Sequence, residues 1–169
     1  MLCKEMTEAC GGKTQMQPKR VTFVCTGNTC RSPMAAAVAN ALIRARDGEN
    51  SAWVATSAGL YAGEGDPITP HAVEALERAG VEAVKGLDYH AHTAHTVTEA
   101  DAEAAELLVA VSASHAMELL FRFPAAAHKI VCMPQAISDP FGGDLAGYEA
   151  CLAEITACVR ALLLGEESK

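Results

Sequence analysis

No Cys-x-x-Cys pair occurs among the seven cysteines of this 169-residue chain, which argues against structural zinc and against a thioredoxin-type site. Those seven, Cys3, Cys10, Cys25, Cys30, Cys132, Cys151 and Cys158, are odd in number and scattered, as expected of reduced thiols in a cytosolic protein. No uncharged apolar run approaches the ~18 residues of a membrane span. The first residues carry Lys4, Glu5 and Glu8 and no apolar core of a signal peptide, so a cytoplasmic location is expected. Neither Gly-x4-Gly-Lys-Ser/Thr nor Gly-x-Gly-x-x-Gly is found, which removes the common nucleotide-binding loops. Positive charge is also short: 13 Lys and Arg against 21 Asp and Glu leave a net charge of −8. Nucleic acid and anionic membrane surfaces are therefore not expected partners.

What is present alternates in period. Val21 to Val24 form a short β-branched and aromatic run, and an Ala-rich helical pattern follows from Pro33 to about Arg46, with Met34, Val38, Ala39, Leu42 and Ile43 on one face. Trp53 to Ser57 gives a second strand. Thr69 and Pro70 open a second helix, with Val73, Leu76 and Ala79 facing inward until Gly80 stops it. Thr98 and Asp101 have the spacing of a capping box. Leu107 to Val111 reads as a third strand, Ser114 as the cap of a helix to Phe123, Lys129 to Met133 as a fourth strand, and Leu145 to Leu164 as a long helix. Cys132 on that strand and Cys151 and Cys158 on that helix are expected to be buried packing residues. There is no repeat and no linker. The expectation is an α/β fold, a single doubly wound four-stranded parallel sheet with helices on both faces. Residues 20–165 form the domain, 1–19 a mobile extension and 166–169 a tail.

One stretch carries chemistry. Cys25 ends the first strand, and Arg31, Ser32 and Pro33 stand where the first helix opens, with Ser32 in the place of an N-cap. A tight loop between a strand end and a helix N-terminus turns its backbone N–H groups inward, beside the positive end of the helix dipole. Such a cradle binds an oxyanion. A cysteine set there beside a guanidinium is expected to be a thiolate, and Arg31 can grip two phosphoryl oxygens in a bidentate fork. A thiolate beneath a bound phosphoryl group is placed for in-line attack.

The run Cys25-Thr26-Gly27-Asn28-Thr29-Cys30-Arg31-Ser32-Pro33 closely resembles the signature loop of the low-molecular-weight protein tyrosine phosphatases, and the resemblance extends from about Val21 to Leu164. It implies a sheet of flavodoxin-like order and phosphorylated proteins or peptides as substrates; no cofactor and a monomer are expected. It also implies that Asp139, in Asp139-Pro140-Phe141-Gly142-Gly143, is the general acid and base that serves both halves of the reaction. Asn28, Ser32, Ser57 and His92 resemble the polar network that holds the family's loop taut, and Asn28 is a residue that tolerates a left-handed conformation. Cys30 resembles a partner for a reversible, protective disulfide with Cys25. His90, His92 and His95 lack a carboxylate or cysteine at ligand spacing, and no metal is expected.

The departures from the tyrosine phosphatases point one way. Thr29 stands where their loop usually carries Ile or Leu, Phe141 is followed by glycine where they have a second aromatic, and Gly63, two residues after Tyr61, stands in place of an aromatic wall. Tyr61 and Phe141 remain as candidate walls, too few to hold a flat ring well. These features resemble the bacterial protein-arginine phosphatases. By that resemblance Thr29 orients a phosphoramidate, and Asp139 pairs with the substrate guanidinium and protonates its nitrogen. Phosphotyrosine is the alternative substrate. Arsenate reductases share the loop but need two further cysteines in mid-chain, and there is none between Cys30 and Cys132. A non-catalytic phosphate-binding module would have no need of both Cys25 and Asp139.

Overall fold

The computed structural model describes residues 17–165. Most of the expected extension (residues 1–16) and the tail (166–169) lie outside the described residues. Four parallel strands, β1 (Lys19–Cys25), β2 (Trp53–Gly59), β3 (Ala105–Ala110) and β4 (Ile130–Cys132), form one sheet in the order β2-β1-β3-β4. This is the doubly wound order the family resemblance implied. Among the described residues there are five helices, α1 (Arg31–Asp47), α2 (Pro70–Arg78), α3 (Glu99–Ala104), α4 (Ala113–Arg122) and α5 (Leu145–Leu164), with short 3-10 turns at Tyr89–Ala91 and Pro124–Lys129.

β1 is central, so both its faces are covered, and an apolar run suits it better than alternation. Val21, Phe23 and Cys25 face a core shared with α1, α2 and α5, whereas Val24 faces a second, smaller core with Ala102 of α3 and Leu119 of α4. Thr22 is buried but satisfied, its hydroxyl 2.9 Å from that of Thr56. The alanines of α1 let it press close: Ala35 and Ala39 are fully buried, along with Met34. β2 is an edge strand with outward backbone groups to satisfy. Asn40 of α1 meets them, donating to the Ala55 carbonyl at 2.9 Å and accepting from the Ala55 N–H at 2.8 Å.

Several boundaries differ from the sequence reading. α1 begins at Arg31 rather than Pro33, and Ser32 is not its cap: Cys30 holds the N-cap position and no side chain caps it. Ser32 turns instead toward the Cys25 sulfur. α4 is capped by Ser112, two residues earlier than the expected Ser114. β2 runs two residues past Ser57, because Gly59 pairs with Cys25; a Cβ there would lie 2.6 Å from the Thr26 carbonyl oxygen, so only glycine allows the approach. On α2 the buried residues are Ala72, Ala75 and Leu76, with Ala79 exposed past the helix end. β4 is only three residues long, and Cys132 is exposed on it rather than packed, since β4 is the other edge. Cys151 and Cys158 are buried on α5, and burial pushes the Cys151 thiol up to about 12. The Thr98–Asp101 capping box is present in both directions. Lys129 spends all three ammonium protons on the carbonyls of Ala102, Glu103 and Ala105, closing the end of α3. No described helix is long and apolar enough to cross a membrane.

Candidate active site

β1 delivers Cys25 to the carboxyl edge of the sheet, the edge where ligands sit in folds of this type. The chain then turns through residues 26–30 and enters α1. The turn is possible because Asn28 adopts φ +57°, the only positive φ among the described non-glycine residues. Asn28 is fully buried and all of its side chain is engaged: Nδ2 donates to Ser32 Oγ and to Ser57 Oγ, each at 2.9 Å, and Oδ1 accepts from the His95 N–H at 3.1 Å. Its backbone carbonyl accepts from His92 Nε2 at 2.7 Å, which fixes the tautomer of that ring. Burial lowers the His92 pKa, so the ring stays neutral. Asn28, Ser32, Ser57 and His92 thus form one connected network around the loop, and His95 joins it through its backbone.

The Cys25 sulfur is buried at the base of this loop. It lies 2.9 Å from Ser32 Oγ and 3.3 Å from the Asn28 N–H that points at it. The N–H donates to the sulfur, and the Ser32 hydroxyl, which also lies 3.2 Å from the Ala58 carbonyl oxygen, is within reach to do so. Around it opens a cleft of about 240 Å³, lined by Cys25, Thr26, Gly27, Thr29, Cys30, Arg31, Asp139 and Phe141. Arg31 is buried in its wall and its Nη2 donates to Asp139 Oδ2 at 2.7 Å. The Asp139 side chain is about half exposed at the mouth, and Phe141 is 73% exposed on the rim.

Cys30 is a free thiol that sits 3.3 Å from Tyr148 Oη and 3.5 Å from Thr69 Oγ1. Burial pushes the Tyr148 hydroxyl up to about 12. Tyr61 does not line the cleft. It is held by its hydroxyl to Glu118 at 2.7 Å, and the Arg122 guanidinium lies 4.5 Å from its ring centre. An acidic and a basic side chain of α4 thus hold Tyr61 at the edge of that helix.

The three histidines of residues 90–95 separate. His90 lies between Asp88 and Glu77, His92 holds the loop, and the His95 ring sits 3.5 Å from Asp101. Among the described residues no cluster of three or more His, Cys, Asp or Glu side chains could hold a metal.

Residues the sequence reading passed over also converge here. His115 of α4 hydrogen-bonds the Thr26 hydroxyl, the Thr69 N–H donates to the Thr29 carbonyl at 2.9 Å, and Gly59 admits the Thr26 backbone. A usable signal existed for His115, since it follows the carboxyl end of β3, on the same edge as Cys25.

The model of the low molecular weight phosphotyrosine protein phosphatase family matches residues 20–169. A protein-arginine-phosphatase of Geobacillus stearothermophilus is 33% identical over 152 residues, covering 86% of this chain and 94% of its own length. The protein-arginine-phosphatase of Bacillus subtilis (strain 168) is 33% identical over 149 residues, covering 84% and 93%. Among solved structures, a low molecular weight protein tyrosine phosphatase from T. tengcongensis superposes with a TM-score of 0.77 at 35% identity, over 88% of this chain and 99% of that one. With the family model spanning nearly the whole described fold, the chain belongs to the low molecular weight phosphotyrosine protein phosphatases and is an enzyme of that family.

Proposed function

We propose that this phosphatase acts on phosphoarginine in proteins, through a phosphocysteine intermediate. The cradle of residues 26–31 binds the phosphoryl group by backbone N–H groups and the Arg31 fork. The Cys25 thiolate attacks phosphorus; the P–N bond breaks as the S–P bond forms, and protonated Asp139 gives its proton to the leaving nitrogen. Asp139, now a carboxylate, takes a proton from water, which attacks phosphorus. The S–P bond breaks, phosphate leaves, and the Ser32 hydroxyl 2.9 Å from the sulfur stabilises the departing thiolate. Asn28, Ser57 and His92 hold the loop in the shape this sequence of steps requires.

The observation that carries the substrate is the wall of the cleft. Thr26, Thr29 and Asp139 line it, and Phe141 is the one aromatic among its lining residues. A guanidinium leaving group finds the Asp139 carboxyl group and two hydroxyl side chains there, whereas a phenyl ring finds one exposed flank. The two arginine-phosphatase relatives support the same reading. Phosphotyrosine is the second reading, favoured by Phe141 and by the family's tyrosine phosphatases. Cys30 would serve as the disulfide partner of Cys25 only after leaving Tyr148 and Thr69. The free thiols support a cytoplasmic setting.

Hydrolysis of phosphoarginine and phosphotyrosine peptides by wild type and Cys25→Ser, side by side, tests the proposal. The expected result is preference for phosphoarginine and no turnover by the variant. Turnover by Cys25→Ser would remove the mechanism; a preference for phosphotyrosine would leave the mechanism and remove the substrate. Thr29→Ile should lower activity on phosphoarginine and raise it on phosphotyrosine.

A further inference from the structure

His115 is a buried imidazole with no part in the steps above, yet both of its nitrogens are engaged at the edge of the cleft. It is 6% exposed, in the first turn of α4. Nε2 lies 2.9 Å from Thr26 Oγ1, and Nδ1 is hydrogen-bonded to the hydroxyl of Ser112, the residue that caps the helix. The partner it reaches is unusual in the loop. Thr26 is exposed and lines the cleft, while Cys25 just before it and Asn28 two residues on are buried. Its backbone is already fixed, because its carbonyl accepts from the Tyr61 N–H at 2.9 Å. The hydrogen bond to His115 is therefore not needed to hold the loop; it sets the rotamer of one hydroxyl on the cleft wall.

We propose that His115 is a positioning residue for substrate choice, holding the Thr26 hydroxyl on the cleft wall where it accepts a hydrogen bond from a guanidinium leaving group. This rests on the phosphoarginine reading and deepens it. A freely rotating threonine would present its methyl group to the cleft for part of the time, and a methyl suits an aromatic ring better than a charged nitrogen. With its proton given to the imidazole, the hydroxyl oxygen turns its lone pairs outward. A neutral ring is required for that role, and burial together with the Arg31 charge lowers the pKa of His115, against an opposing pull from Asp139. The role assigns one tautomer: Nδ1–H donates to Ser112 Oγ, whose own proton can go to Ser114 Oγ at 2.9 Å, and Nε2 accepts from Thr26.

The test is the ratio of kcat/KM for phosphoarginine to kcat/KM for phosphotyrosine peptides, measured on wild type, Thr26→Val, Thr26→Ser, His115→Leu, His115→Gln and the Thr26→Val/His115→Leu pair. Thr26→Val keeps the shape and removes the hydroxyl, and should lower the ratio by about five- to tenfold, chiefly through KM for phosphoarginine. Thr26→Ser should retain it. His115→Leu should lower the ratio as Thr26→Val does, the pair should lower it no further, and His115→Gln, whose amide can still accept at its tip, should recover part of it. If His115→Leu fails to fold, Thr26→Val against Thr26→Ser still decides. A ratio unchanged in Thr26→Val overturns the inference, as do losses that multiply in the pair. Wild type that hydrolyses no phosphoarginine overturns the substrate reading itself, a result distinct from a wild-type preference that the variants leave untouched.

Discussion

From Cys25 to Ser32 the chain is anchored on every side: Asn28 to Ser32, Ser57 and His95, its carbonyl to His92, the Thr26 carbonyl to Tyr61 and the Thr29 carbonyl to Thr69. From Ser138 to Asp144 the chain is exposed apart from Pro140. It is fastened at one end by Ser138 to Glu154 and at the other by Asp144, which caps α5. Between those ends Pro140 is buried, and the hydrogen-bonded tie to the rest of the described fold is the Arg31–Asp139 pair. The two segments need opposite properties. A cradle for a dianion works because its donors are aimed before the ligand arrives, so reorganisation costs nothing at the moment of reaction. An acid that gives up a proton and then takes one back must shift its partner. Asp139 bonds Arg31 here, and a phosphoryl group claims that same guanidinium. Stability is thus concentrated in the loop that binds and withheld from the loop that works.

The contrast predicts that substitutions in the two segments fail in different ways. Arg31→Lys keeps the charge and loses the fork; kcat/KM should fall by about 10³-fold, and a loss under tenfold would show that Arg31 is not the clamp. Asp139→Asn should lower kcat by about 10²–10³-fold while changing the free energy of unfolding by less than ~1 kcal/mol, because the Arg31–Asp139 pair is half exposed on the carboxylate side. Asn28→Ala should do the reverse in kind. It places a residue with a Cβ and no side-chain partners at φ +57° and leaves Ser57 and the His95 N–H without their bonds, a destabilisation of about 2–4 kcal/mol in denaturant unfolding. If Asp139→Asn unfolds as easily as Asn28→Ala, the division between a stable cradle and a loose acid loop is wrong.

The sheet, the long helix and the loop were legible because each rests on a local rule. An apolar run between turns gives a doubly covered strand, Thr98 and Asp101 give a cap, and a strand end meeting a helix start gives an anion cradle. What the sequence withheld depended on neighbours. Ser32 reads as a cap because serine caps helices, yet in this fold the sulfur and Asn28 compete for its hydroxyl and win. Tyr61 reads as a wall because it follows β2, but Glu118 and Arg122 of α4, some sixty residues away, draw it aside. Cys132 reads as buried because its strand is apolar, and only the strand order reveals that β4 is an edge. His115 offered only its place after the carboxyl end of β3, since the contact that gives it meaning, with Thr26, lies 89 residues away along the chain.

The smallest effect bears on how the cradle answers to acid. His92 donates to the Asn28 carbonyl through Nε2, and burial lowers its pKa below the usual 6.5, with the neighbouring His95 adding to the shift. A histidine so placed binds its proton more readily in the unfolded chain. Stability is therefore present above the unfolded value and is lost as pH falls below about 6.5 toward the lower folded value, after which the loss levels off. His115 contributes with the same sign, and His90, raised by Glu77 and Asp88, with the opposite sign. Between pH 7.5 and pH 5.5 the melting temperature of the wild type should thus fall, and in His92→Gln, whose amide can still donate to the carbonyl, the fall should be smaller by about 1–3 °C. His90→Gln should enlarge the fall instead. Equal falls in wild type and His92→Gln would mean that the imidazole is accessible enough to charge in place, and the loop would then owe its shape to Asn28 and the two serines without the histidine.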